Sequence, residues 1–316
     1  MAVIEAFKER MRHLQGGFIT RREMFWKYVD RAFAKVFNVK TDFYYKSLIA
    51  RLKAEYWHEE DSSYHMKDVR FPEMDYVYSQ RLNGIVALLW TYLRFDDRHD
   101  EEISDYCCKL FGEEPYVLVN DSVNVIVEAG DIVIDAGSWV GDFAAYASVK
   151  GADKVYAFEP TAKTFEILKN TAELNGNIIP VNKGLSDEAS SIPLYINTNG
   201  NTGSNSFMLP EEKDFLVPAK DFGEVQSEAQ TVRLDDFVRE NNLPRVDFIK
   251  ADIEGFERHM LAGAQETLAR FAPKLALCTY HLPDDPEVMA GLIKQANPKY
   301  NIVQKRKKLF ASVPKE

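Results

Sequence analysis

The sequence is poor in cysteine: Cys107, Cys108 and Cys278 are the only three among 316 residues. Three thiols cannot form the disulfide framework of a small secreted scaffold, and without paired CxxC spacings they do not outline a zinc site. Cys107 and Cys108 are chain neighbours, which bridge only with backbone strain, so they are read as reduced helix residues without a function. Long apolar runs are also missing. The stretch around Gly84 to Leu93 is too short to cross a bilayer, and the opening MAVIEAFKERMRH interleaves charges where a signal peptide needs an uncharged segment. A cytoplasmic location with no membrane partner is therefore expected. Positive charge is short as well. With 39 Lys and Arg against 49 Asp and Glu, the formal net charge is −10, which disfavours a polyanionic partner. The one dense basic run, Lys305 to Lys308, is read as a solvated strand edge that discourages edge pairing, and no NPPY-like tetrapeptide is present to grip an extruded base. A small-molecule or glycan acceptor fits this balance better than nucleic acid.

What is present divides into two parts. Residues 1–115 read as mainly helical, with apolar stripes at three- and four-residue spacing: Phe25, Val29, Phe33, Val36 and Phe37, then Tyr45, Leu48, Ile49 and Leu52. A softer stretch, HEEDSSYHMKDVRFPEMD, precedes a further apolar helix at about Leu82 to Phe95. This part is expected to shape an acceptor site or a homo-oligomer interface. From Tyr116 to residue 316, short Val- and Ile-rich runs alternate with helical stretches, the pattern of βαβ units around a parallel sheet. The runs DIVIDAG, KVYAFEP, IIPVNKGLS, VDFIKAD, KLALCTYH and YNIVQKR are predicted strands. Gly141 to Val149, Thr161 to Leu174 and Gly255 to Phe271 are predicted helices. The segment from about Asn197 to Gln230, with NTNGNTGSNSF, is too rich in Asn, Gly and Ser for a regular element and is read as a substrate-side lid.

In DIVIDAGSWVGD the strand ends at Asp135, and Gly137 and Gly141 permit a turn that a ligand can approach closely. A tight structural turn would use the same glycines. The next strand ends in Glu159, about two dozen residues after Asp135, where a carboxylate can accept hydrogen bonds from both hydroxyls of a cofactor ribose. That placement serves a nicotinamide dinucleotide and S-adenosylmethionine alike. The turn separates them: DxGxxxG lacks a glycine of the dinucleotide fingerprint, and an acidic Asp135 favours a cationic sulfonium over a pyrophosphate. Further on, Asp187, beside Ser186, is placed to accept from an adenine amino group or to cap its own turn.

The fourth predicted strand runs into Asp252 and Glu254, which, two residues apart on an extended chain, project to the same side. Carboxylates at the end of an otherwise apolar strand suggest a polar site, although Glu254 can also favour the following helix through its dipole. The fifth ends in Tyr280 and His281. A neutral imidazole there can take a proton from an alcohol, or can be satisfied by Asp284 or Asp285. No dense acidic triad is present, so no metal is assigned.

Taken in order, EEPY, GDIVIDAGSWVGD, VYAFEP, TGSNSF, TVRLDDF, VDFIKADIEGFE, GAQETL and PKLALCTYH followed by PDD resemble the FkbM-type family of class I S-adenosylmethionine-dependent methyltransferases, over roughly Glu114 to Tyr300. The resemblance implies a doubly wound, mostly parallel, seven-stranded Rossmann-like α/β sheet, preceded here by the helical region. It implies S-adenosylmethionine as cofactor and O-methylation of a sugar, glycan or related hydroxyl. Residue by residue it implies cofactor contacts from Asp135, Gly137, Ser138, Gly141 and Glu159, to which Ser186 and Asp187 are added, and acceptor-side catalytic roles for Asp252, Glu254 and His281. Trp139 departs from the family pattern, which has a smaller residue there. A nicotinamide-dependent oxidoreductase and a non-catalytic cofactor-binding interaction protein are the alternatives.

Overall fold

The computed structural model describes residues 53–66, 69–72, 116–196, 205–208 and 227–314, together with residues 47 and 50 of a helix. The apolar stripes at Phe25 and Tyr45, the helix at Leu82 to Phe95 and the Cys107–Cys108 pair lie outside these residues. At the centre is a seven-stranded sheet built from β6 (Ile132–Ala136), β7 (Lys154–Phe158), β8 (Ile178–Val181), β12 (Phe248–Ala251), β13 (Lys274–Cys278), β14 (Asn301–Lys305) and β15 (Lys308–Ser312). Their order is β14-β15-β13-β12-β6-β7-β8, and only β15 runs antiparallel to its neighbours. Alternate residues of β6 feed two cores, Val133 on one face and Ile132 and Ile134 on the other, as a strand buried on both sides requires.

The connecting helices are α1 (Asp142–Val149), α2 (Ala162–Asn175), α3 (Leu234–Glu240), α4 (Glu257–Ala262), α5 (Gln265–Phe271) and α6 (Asp285–Ala296). α1 and α2 fall where the sequence predicts them. The single helix expected over Gly255 to Phe271 is instead two. Asp235 accepts from the amides of Glu266 (3.0 Å) and Thr267 (2.8 Å) and from the Thr267 hydroxyl (2.7 Å), so α5 begins afresh on a carboxylate contributed by another helix.

The predicted strand IIPVNKGLS is also two. Asn182 donates to the carbonyls of Glu159 (2.8 Å) and Pro160 (3.3 Å) and turns the chain out of the main sheet. Beyond it β9 (Gly184–Ser186) pairs with β11 (Ser227–Arg233), which pairs in turn with β10 (Ser191–Leu194). The end of the expected lid, from residue 227, is therefore regular strand. The basic run is corrected in part: Lys305 ends the edge strand β14 and is exposed, Arg306 and Lys307 form the β14–β15 turn, and Lys308 is wholly buried at the start of an inner strand.

Before the main domain, the stretch expected to separate helices is a three-stranded antiparallel meander of β1 (Trp57–His58), β2 (Ser63–Met66) and β3 (Val69–Pro72). Buried Tyr64, Val69 and Phe71 belong to the same apolar cluster as Phe143, Ala144 and Leu168. A small hairpin of β4 (Leu118–Val119) and β5 (Asn124–Val125) completes the described strands. No helix among the described residues is long and apolar enough to cross a membrane.

Candidate active site

Register brings the site together. Ala136 pairs with Phe158 on one side and Ala251 on the other, and Ala251 with Leu277, so four parallel strands end level with one another. The chain leaves β6 for β7 on one side and reaches β12 on the other, which makes the β6–β12 boundary the switch point where open α/β sheets bind ligands. A cleft open to solvent lies there. Gly137, Trp139, Glu159, Thr161, Asp252 and Glu254 contribute to its polar wall, and Phe158, Leu185, Leu194, Phe207 and Ile253 to its apolar wall.

Gly137 has φ +72, and a Cβ on it would stand 2.0 Å from the Asp252 carbonyl oxygen, so no other residue fits this crossing of β6 and β12. Trp139 takes the left-handed conformation too, at φ +49. Its amide donates to Glu159 Oε2 (3.1 Å), while the Thr161 amide donates to Oε1 (2.9 Å). Burial raises the Glu159 pKa to about 7, against the opposing pull of these donors. A carboxylate offers about four acceptor positions. Two are filled by backbone amides and the Thr161 side chain also reaches the carboxylate, which leaves Glu159 acceptor capacity towards the cleft.

Other expected cofactor residues are placed differently. Asp135 is fully buried beneath the turn and does not line the cleft. Its Oδ1 is 3.0 Å from Lys250 Nζ, which also donates to the carbonyls of Gly137 (2.6 Å) and Ala136 (3.3 Å). With its charge met by a buried lysine, Asp135 fixes the turn from below and leaves no free charge for a sulfonium. Burial raises its pKa in spite of Lys250, and the carboxylates of Asp135, Asp252 and Asp142 raise that of Lys250 in spite of burial. Ser138 is buried, donating to the Asp135 carbonyl (2.8 Å). Gly141 opens α1 where a Cβ would meet Leu168 at 2.8 Å, so it serves helix packing. Ser186 donates to Asp187 (3.0 Å), and Asp187 lies 3.1 Å from His259 Nδ1. Neither lines the cleft, whose wall on that side is Lys183, Gly184 and Leu185.

Asp252, Glu254 and His281 do converge. His281 Nε2 is 3.8 Å from Asp252 Oδ1 and 3.6 Å from Glu254 Oε2. The two carboxylates meet through a turn, not an extended strand: β12 ends at Ala251, and Glu254 adopts φ +56. Asp252 accepts from the hydroxyls of Tyr116 (2.6 Å) and Tyr280 (3.1 Å). Although burial opposes it, the charges of Lys250, His281 and Lys308 hold the Asp252 carboxyl far below the usual carboxylate range. His281 is 2% exposed; burial alone would lower its pKa, but Glu257, Glu254 and Asp252 raise it to about 9. Asp284 and Asp285 are engaged by Arg258 and not by His281.

Four participants, Glu257, Tyr116, Lys250 and Lys308, escape a reading of the motifs. Glu257, wholly buried, accepts from the amides of Ile253 (2.8 Å) and Gly255 (3.0 Å) and lies 3.2 Å from His281 Nδ1. It, not Glu254, ties down the start of α4. The Tyr116 ring has Lys308 Nζ 4.3 Å and Lys250 Nζ 5.2 Å from its centroid, arranging two buried cations behind Asp252. The lone charge inside the strand FIKA was the available signal for Lys250. Of the expected lid, residues 205–208 reach the cleft: Ser206 bridges Tyr195 and donates from its hydroxyl to the Glu254 carbonyl (2.7 Å), and Asn205 Nδ2 donates to Thr161 (3.2 Å).

The sheet order, the level strand ends and the cleft beside the buried Glu159 carboxylate are those of a Rossmann-like methyltransferase domain whose cofactor is S-adenosylmethionine. The chain belongs to the Methyltransferase FkbM domain family, which matches residues 131–300. Methyltransferase sdnD of Sordaria araneosa is 28% identical over 182 residues, covering 50% of this chain and 67% of the relative. Hexuronic acid methyltransferase AglP of Haloferax volcanii is 27% identical over 173 residues, covering 54% of this chain and 64% of the relative. A crystal structure of Methyltransferase FkbM from Methylobacillus flagellatus KT is similar with a TM-score of 0.45 at 19% identity, covering 75% of this chain and 57% of that one. The chain thus spans roughly two thirds or less of the length of each.

Proposed function

We propose that the protein transfers a methyl group from S-adenosylmethionine to a hydroxyl of a sugar, glycan or related small molecule. The observation that carries this reading is the grouping of Asp252, Glu254 and His281 at the mouth of the cleft that holds Glu159. An alcohol must lose its proton as it gains a methyl group, and this cluster sets the Glu254 carboxylate among charged hydrogen-bonding groups on the acceptor side. The likeness to a hexuronic acid methyltransferase supports a carbohydrate-type acceptor.

When bound, S-adenosylmethionine supplies an already activated methyl group on a positively charged sulfur. The protein's part is therefore mainly alignment. Glu159 accepts from the ribose hydroxyls, and Leu185, Phe207 and Ile253 offer apolar surface to a purine. Gly137 keeps the turn low enough to leave the cleft open. Asp252 and Glu254 receive the acceptor hydroxyl, and residues 205–208 help to exclude water beside them. An acidic surface suits an acceptor that is not a nucleic acid.

Incubation with isotopically labelled S-adenosylmethionine and a panel of sugars, glycans and hydroxylated small molecules, read by mass spectrometry, tests the proposal. One labelled methyl per acceptor molecule, on oxygen, is the expected product. Stabilisation against heat by NAD but not by S-adenosylhomocysteine would overturn it, because only a ligand bound by the native state raises its stability.

A further inference from the structure

The geometry points to a divalent-cation site formed by Asp252, Glu254 and His281, placed to hold the acceptor hydroxyl; in that role it rests on the function proposed above. One ligand atom from each of the three lies within 4.8 Å of the other two. Two ligands bonded to one ion at about 2.1 Å stand about 3 to 3.5 Å apart. The observed 3.6 and 3.8 Å separations from His281 Nε2 need to shrink by only a few tenths of an ångström, which side-chain torsions can supply.

The histidine argues for a ligand most directly. Its side chain is buried, and Nε2 has no hydrogen-bond partner among the described residues, yet it points between two carboxylates. A buried polar nitrogen without a partner is costly, and a cation midway between it and the carboxylates removes that cost. The surroundings resemble those of a metal ligand set as well. Nδ1 lies 3.2 Å from Glu257, whose carboxylate is fixed by two backbone amides, the arrangement that orients ligating imidazoles in metal sites. Asp252 is held in the same manner by the Tyr116 and Tyr280 hydroxyls. Glu254 is aimed by a left-handed backbone that a non-glycine residue adopts only at a cost.

Two carboxylate oxygens and one imidazole nitrogen form a mixed set compatible with Mn²⁺, which accepts both ligand types. Because the Asp252 and Glu254 side chains are partly open to the cleft and His281 is not, the remaining coordination positions face the acceptor. A hydroxyl bound there has a lowered pKa, and its proton leaves to solvent through the cleft as its oxygen becomes the nucleophile.

Titration of chelator-treated full-length protein with Mn²⁺, following the free-ion signal by electron paramagnetic resonance, should show one site per chain. Glu254→Gln and His281→Asn should each weaken it at least tenfold, with circular dichroism verifying that both variants are folded. Absence of a stoichiometric site, or unchanged affinity in both variants, overturns the proposal. Full hydroxyl methylation in excess chelator also overturns it while leaving the proposed function standing. Mn²⁺ binding lost in both variants, in a protein that methylates no hydroxyl, supports the metal site and removes the acceptor reading instead.

Discussion

Glu159 carries a burden set by its surroundings: in the proposed cofactor-binding role it must be buried to meet the ribose and ionised to accept from it. Its pKa of about 7 lies above the usual value of 4.5 because burial disfavours the charge. A folded-state pKa raised in this way contributes stability below pH 4.5 that is lost as pH rises towards 7, on the order of 3 kcal/mol over the window. Ribose hydroxyls stabilise the ionised form, so cofactor binding should release a proton below about pH 7. The affinity for S-adenosylhomocysteine should accordingly rise between pH 6 and pH 8. Calorimetry in buffers of different ionisation enthalpy measures the proton release directly, and a flat profile with no release would count against the assignment. Glu159→Gln should weaken binding roughly 10- to 100-fold and abolish the pH dependence, as expected for loss of charge-assisted hydrogen bonds. The place of Glu159 at the cleft was legible because a carboxylate closes an apolar strand just before a proline. Asp135 was misplaced for an equally physical reason: its partner Lys250 is more than a hundred residues away in sequence, and nothing local reveals that the charge is already neutralised.

Among the elements, those with one strong periodicity were legible and those defined by a distant partner were not. β6, β7, β12 and β13 are apolar runs bounded by glycine, proline or acid, and each lies where the sequence predicts it. The break between α4 and α5 was hidden, because Met260, Leu261, Ala264 and Leu268 continue one apolar stripe straight through it. What interrupts the helix is Asp235, which binds the first amides of α5 from α3. Asp235→Ala should therefore cost about 1 to 3 kcal/mol in urea unfolding, the range for a lost cap that leaves buried donors unsatisfied. It should leave the affinity for S-adenosylhomocysteine nearly unchanged. A loss below 0.5 kcal/mol would mean that α4 and α5 hold their break by some other means. β15 was missed because its leading Lys308 looks like the end of a solvated basic run. The Tyr116 ring over its ammonium and the charge of nearby Asp252 offset its burial.

On the scale of the whole molecule, the expected boundary at residue 115 meets a core that crosses it. β3 lies against α2, where Arg70 and Asn175 exchange hydrogen bonds (Arg70 amide to Asn175 Oδ1, 3.3 Å; Asn175 Nδ2 to Arg70 carbonyl, 2.9 Å). Phe71 and Val69 are fully buried in the cluster that contains Phe143 and Leu168. The sequence conceals this, since the meander is short, charged and embedded among helical stripes, and its apolar residues find their partners about a hundred positions later. Burial of a large aromatic side chain in such a cluster makes its truncation cost about 3 to 5 kcal/mol. If the meander and the methyltransferase sheet form one cooperative unit, Phe71→Ala lowers the stability of the sheet itself by that amount. The near-ultraviolet signal and the far-ultraviolet helical signal then shift together to lower urea. Hydrogen exchange separates the two architectures residue by residue. Protection of β6 and β7 amides should fall in step with global stability in a shared core. Unchanged protection there, with loss confined to residues 57–72, would instead mean that the domain from residue 116 onward folds as a separate unit on which the meander merely rests.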